Sequence, residues 1–123
     1  MVTDRVALDQ ILGNLLENAV KYRSKNRELL ISVRARQCDG DQLQLEVEDN
    51  GRGIDRRDLE RIFDPFRRAG AQDQPGDGIG LASASTVARR LGGTLSVAST
   101  LDVGTTFTLR IPMTDRAPEG RIE

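Results

Sequence analysis

Apolar residues recur at Leu8, Ile11, Leu12, Leu15, Leu16 and Ala19, the three-and-four spacing that predicts one helix from Leu8 to Tyr22. Thr3 or Asp4 stands where an N-cap belongs. The opposite face carries Asn14, Asn18 and Lys21, spaced by four and three, so two amides and an ammonium share a row. The period then shortens to two. Leu29, Ile31, Val33 and Ala35 alternate with polar residues, as do Leu43, Leu45 and Val47, which predicts two strands joined by a turn at Cys38-Asp39-Gly40-Asp41.

A glycine-containing loop, Asp49-Asn50-Gly51-Arg52-Gly53, follows the second strand, and Asp55 is placed to cap a short helix reaching about Phe63. Residues 64–78 hold two prolines and three glycines without a period, so a loop is expected there. Gly78-Ile79-Gly80-Leu81 opens another helix that runs to Leu91 and closes on Gly92-Gly93. Thr94–Ser99 and Thr105–Pro112 form a second hairpin through Asp102-Val103-Gly104, and a polar tail occupies 114–123. Helices and antiparallel hairpins in separate runs predict an α+β two-layer sandwich, one domain over 1–113.

Composition narrows the chemistry. The 123 residues carry 18 Lys+Arg against 19 Asp+Glu and only four aromatic side chains (three Phe, one Tyr), so neither the charge nor the stacking surface for nucleic acid is present. No apolar run has the length of a membrane span, which predicts no direct membrane contact, and one cysteine, Cys38, fits a reducing cytoplasm. There is no histidine, which excludes Ser-His-Asp and Cys-His nucleophiles and disfavours zinc. Chemistry must run on carboxylates, amides, lysine, arginine and backbone groups.

Three polar clusters qualify, and each also has a plain structural explanation. Asn14, Asn18 and Lys21 fit a solvated helix face, yet asparagine is a poor helix former, and amide oxygens suit a hard cation while an ammonium suits phosphate. Asp49 to Gly53 is an ordinary strand-ending turn, or a carboxylate acceptor beside backbone that a flat ligand can approach. Gly76-Asp77-Gly78-Ile79-Gly80-Leu81 is a glycine-rich helix start, or a phosphate cradle of free N–H groups; no Gly-Lys-Ser/Thr follows, so it is not a Walker A loop.

Their order carries more than any one of them. Asn14–Tyr22 (NLLENAVKY), Asp49–Ile54 (DNGRGI), Ile62–Phe66 (IFDPF), Gly76–Leu81 (GDGIGL) and Gly104–Phe107 (GTTF) resemble the N, G1, F, G2 and G3 boxes of the ATP-binding domain of sensor histidine kinases, within the gyrase, Hsp90 and MutL ATPase superfamily. The resemblance covers roughly residues 4 to 112. It implies a mixed, mainly antiparallel sheet under about three helices (the Bergerat-type fold).

The resemblance also assigns roles. Asn18, with Asn14 beside it, is expected to ligate the Mg2+ of bound ATP, and Lys21 and Tyr22 to face the phosphates. Asp49 is expected to receive the adenine amino group, with Gly51, Gly53 and Ile54 against the base and Thr105 or Thr106 closing the pocket. Gly78, Ile79, Gly80 and Leu81 are expected at the phosphates. Arg67 and Arg68 lie in the short lid, and Arg68 is expected to steady the γ-phosphate.

ATPase relatives place a glutamate where Asn14 stands here, which points to phosphoryl transfer rather than hydrolysis. Glu17 lies about 100° around the helix from Asn18 and is given no role. The expected partners are a histidine-bearing dimerisation domain and then a response regulator, with this domain a cytoplasmic monomer. Alternatives are an anti-sigma-factor type of serine kinase, and a nucleotide-binding interaction module without phosphotransfer. Two departures stand out: Asp77 replaces a small hydroxyl residue, and Asp102 replaces the first of two glycines. The chain also begins almost on its first helix, where the family has a strand, so a trimmed domain is expected.

Overall fold

The helix α1 spans Arg5–Lys21 and buries Ile11, Leu15 and Ala19, residues one turn apart along a single stripe. It ends where Tyr22 N–H and Arg23 N–H still reach back to Asn18 O and Val20 O, and the Arg23 guanidinium also donates to Val20 O. The computed structural model describes residues 5–38, 40–59, 61–63 and 80–112; the cap at Thr3 or Asp4, the 64–78 loop and the tail lie outside them.

Among the described residues four strands follow the first helix: β1 (Ile31–Cys38), β2 (Gln42–Asp49), β3 (Thr94–Thr100) and β4 (Gly104–Pro112). Their order in the sheet is β1-β2-β4-β3, and all three pairings are antiparallel. The mixed character expected of the sheet is therefore not seen among the described residues. The first hairpin turns through Gly40 and Asp41, both left-handed, with φ of 78° and 57°. The central pair, β2 and β4, puts Asp49 opposite Thr105 and Val47 opposite Phe107.

Among the described residues two further helices join this layer. Asp55 caps α2 (Arg56–Leu59), its carboxylate accepting Arg57 N–H at 2.9 Å. This helix stops short of the expected Phe63, because Arg61 N–H closes an i to i+3 turn on Asp58 O. The turn drops Ile62 into the core and sets Phe63 edge-on against Phe107, with ring centroids 6.4 Å apart. Helix α3 (Gly80–Arg90) ends in a Schellman motif, with Gly93 N–H on Ala88 O and Gly92 N–H on Arg89 O. Gly92 takes a φ of 84°, and a Cβ on Gly93 would strike Arg110 O.

The core lies between this helical layer and one sheet face. Ile11 and Leu15 from α1 meet Ala84, Val87 and Ala88 from α3 and Val47, Phe107, Leu109 and Ile111 from the central strands. Each large side chain so buried stabilises the fold by about 1.5–3 kcal/mol in transfer free energy.

Strand β1 departs from its alternation. Val33 is 51% exposed and Ala35 is also exposed, because α1 lies over β2, and α3 over β3 and β4. The uncovered face of the sheet is polar, with Arg34 paired to Glu46 and Glu48 and Arg110 bonded to Gln44. Among the described residues no helix is long and apolar enough to cross a membrane.

Candidate functional site

Asn14 and Asn18 follow Ile11 and Leu15 by three residues, so they flank the buried stripe of α1 and do not lie on its opposite face as expected. Asn14, Asn18 and Lys21 are each partly buried, while the apolar Leu16 and Val20 are 37% and 46% exposed. Among the described residues no side-chain hydrogen bond is made by Asn14, Asn18 or Lys21. The row they form ends at Tyr22, whose carbonyl accepts Arg52 N–H at 3.1 Å. The Arg52 guanidinium lies 4.9 Å above the Tyr22 ring. These contacts bring the end of α1 onto the loop that follows β2.

That loop starts at Asp49, which is only 9% exposed. Its Oδ1 accepts Gly51 N–H at 2.8 Å, folding the loop back over the carboxylate as an Asx turn. Burial pushes the Asp49 carboxyl above the usual carboxylate range. The backbone bonds from Gly51 and Thr105 pull the other way, and the nearby Glu48 charge adds to the rise. An ionised carboxylate offers about four acceptor positions, so it retains capacity for another donor.

The glycines of this loop make room for protein. A Cβ on Gly51 would lie 2.7 Å from Tyr22 O and 2.9 Å from Asp49 Oδ1. One on Gly53, which has a φ of 76°, would strike Thr100 O. On Gly104 it would strike Asp49 O, so the start of β4 packs directly on the end of β2.

Beside this contact Ser99 links three elements. Its hydroxyl accepts Ile54 N–H at 2.8 Å, bonds Gly104 O at 2.9 Å and meets Thr105 Oγ1 at 2.8 Å. Thr105, 6% exposed, is on the helix side of β4 with Phe107. Thr106 alternates to the open face, so Thr105 is the threonine at the Asp49 wall.

Ile54 and Leu81 are half-buried and pack on the core, and Gly80 is the first residue of α3. Gly78, Ile79, Asp77, Arg67 and Arg68 lie outside the described residues. A depression of about 440 Å³ across the strand ends includes Asp49 and Thr105 but none of Asn14, Asn18 or Lys21; Ser32, Glu48 and Thr106 line it from the open face.

Three residues that sequence reasoning missed brace the site. Asn50 donates from Nδ2 to Glu28 O at 3.0 Å and accepts Leu30 N–H at 2.8 Å, so this amide holds the chain entering β1. Ser99 was visible only as one inward position of an alternating strand. Arg27 donates to three backbone carbonyls, Asn50 O at 2.7 Å, Gly51 O at 2.8 Å and Asp102 O at 2.7 Å. Nothing in its polar surroundings in sequence marks it out.

Asp49 is thus a carboxylate buried at a strand end, the residue after α1 packs on the loop that follows it, and α3 starts at Gly80. Residues 3–115 match the family of histidine kinase-, DNA gyrase B- and HSP90-like ATPases, and the chain belongs to it. Within that family the similarity is to the catalytic, ATP-binding part of sensor histidine kinases.

The chain is 40% identical over 115 residues to the aerobic respiration control sensor protein ArcB of Escherichia coli K12, covering 90% of this chain and 14% of that protein. It is 39% identical over 113 residues to the sensor histidine kinase RcsC of Salmonella typhimurium, covering 89% and 12%. It thus spans about an eighth of the length of these relatives. Among solved structures, the mycobacterial sensor histidine kinase MprB aligns with a TM-score of 0.79 at 29% identity, over 91% of this chain and 76% of that one. Full-length ShkA in complex with AMPPNP aligns with a TM-score of 0.75 at 33% identity, over 91% and 23%.

Proposed function

We propose that this chain binds Mg·ATP between α1 and the Asp49 loop and donates the γ-phosphate to a histidine on a separate dimerisation domain, from which a response regulator takes it. The observation that carries this reading is the buried Asp49 carboxylate. It is a largely buried acceptor, held by backbone bonds from Gly51 and Thr105, at the strand end that packs on Gly104 of the β3–β4 turn. A buried carboxylate favours a ligand that donates a hydrogen bond, as the amino group of adenine does and the corresponding oxygen of guanine does not.

The described residues fit such a ligand. Among them no group of three or more His, Cys, Asp or Glu side chains gathers to hold a metal. A magnesium ion would rest on the amide oxygens of Asn18 and Asn14, on phosphate and on water, a donor set suited to a small hard cation. When bound, Mg·ATP supplies the phosphoryl group and balances charge at its phosphates. Lys21 adds a compact positive charge at the end of the amide row, and Tyr22 fixes the loop edge there. The N-terminus of α3 at Gly80 directs backbone N–H groups outward. Arg68 in the lid is assigned to the γ-phosphate. Catalysis in this arrangement is positioning and electrostatics, with the accepting histidine supplied by the partner. The domain works as a monomer on the cytoplasmic side.

Calorimetric titration tests the reading, with a non-hydrolysable ATP analogue and with GTP, each with and without magnesium. Magnesium-enhanced binding of the adenine nucleotide alone is expected, followed by labelling of an added histidine-bearing domain from ATP. Binding without such labelling would leave a nucleotide-binding interaction module, and labelling of serine in a protein antagonist would mark the serine-kinase branch. Failure to bind either nucleotide would overturn the proposal.

A further inference from the structure

The walls of the Asp49 site come from segments far apart in sequence. One is the loop after β2, and the other is the β3–β4 turn. The turn is unusual in containing Asp102 with a φ of 64°, a left-handed conformation that a non-glycine residue adopts at a cost. Asp102 keeps this conformation while its N–H donates to Arg52 O at 2.8 Å and its carbonyl accepts from Arg27. Arg27 grips both walls at once. Nε holds Asn50 O, while Nη2 holds Gly51 O and Asp102 O. Three carbonyls converging at 2.7–2.8 Å match the planar donor fork of a guanidinium. An ammonium has no donor at the Nε position and a tetrahedral head.

We propose that Arg27 is a positioning residue for nucleotide binding, fixing the spacing between the Asn50–Gly51 wall and the Asp102 turn, and with it the geometry around Asp49. The proposal rests on the nucleotide reading given above. Arg27 is exposed, so water can replace its bonds once the side chain is gone. Its loss therefore falls on the relative placement of the two walls and leaves the core intact.

The test is Arg27→Ala in the 123-residue chain, measured by binding of adenosine and of the ATP analogue and by amide hydrogen exchange. Affinity for both ligands should fall about three- to thirtyfold, the range for residues that act through position rather than contact. Exchange should quicken at Gly51, Arg52, Asp102 and Val103, with the amides of β2 and β4 unchanged. Ethylguanidinium should restore much of the affinity and ethylammonium should not; Arg27→Lys should behave like Arg27→Ala.

Unchanged affinity in Arg27→Ala would overturn the positioning role while leaving the nucleotide site standing. So would an affinity loss accompanied by faster exchange throughout the sheet, which would make Arg27 a stability residue. Rescue by ethylammonium, or by lysine, would overturn the guanidinium argument. If the unaltered chain bound neither ligand, the nucleotide reading would fall and this proposal with it.

Discussion

Asp49→Asn is the most informative single change at the site. The substitution keeps the shape and one carbonyl oxygen, so the 2.8 Å bond from Gly51 N–H can persist. It replaces a charged acceptor with a neutral amide that presents a donor on its other arm. A hydrogen bond to a charged group contributes about 1.5–3 kcal/mol. At about 1.4 kcal/mol per decade, the ATP analogue should bind about 10- to 150-fold more weakly. GTP, with an oxygen where adenine has its amino group, should lose nothing or gain, so discrimination between the two narrows.

The same carboxyl also shapes the response to pH. Burial raises the Asp49 pKa in the folded chain, so the native state holds that proton more tightly than the unfolded chain does. Its contribution to stability is full below the unfolded value and is lost as pH rises through the raised folded value. Asp49→Asn should flatten that part of the stability profile, measured by thermal unfolding as pH rises from the ordinary carboxylate value of 3.8. Adenosine, which has no phosphate to titrate, should bind wild type more weakly as pH falls through the same window. Calorimetry showing Asp49→Asn within about twofold of wild type for the ATP analogue, in a protein that unfolds cooperatively, would refute the adenine assignment.

Other substitutions probe the scaffold. Gly13 lies on the exposed face of α1 with nothing within 4 Å of an added Cβ. Gly13→Ala should therefore stabilise the chain by about 0.8–1 kcal/mol in a urea titration, the cost of glycine in a helix interior. Gly104→Ala, with a φ of 151° and Asp49 O in the path of its Cβ, should destabilise by at least about 1–3 kcal/mol from backbone strain and lower the unfolding midpoint accordingly. Ser99→Ala strands the Ile54 N–H that donates to it and should cost about 1–3 kcal/mol in the same titration, with faster exchange of the Ile54 amide.

Legibility in the sequence followed the range of the interactions. The α1 stripe, the Asp55 cap and the Gly92-Gly93 stop are set by residues within a turn or two of each other, and the structure repeats them. Strand alternation was readable on β1, yet it could not say which strands a helix would cover, and Val33 and Ala35 stand exposed as a result. The choice between Thr105 and Thr106 needed the pairing with Asp49, because alternate residues of a strand differ only in which face they take. The unusual Asp102 was noticeable as a departure at a glycine position. Its counterpart, Arg27, was not, since the carbonyls it gathers lie 23, 24 and 75 residues away along the chain.

The β1-β2-β4-β3 order has a mechanical consequence. Chain leaving β2 at Asp49 enters the neighbouring strand β4 at Gly104 and Thr105, directly alongside its point of departure. Everything between, including two helices and the edge strand β3, is an excursion whose endpoints coincide in space. Such an arrangement tolerates changes of length in the intervening stretch, because neither end must shift to accommodate them. A ligand at the Asp49 wall would therefore meet both ends of that stretch at once.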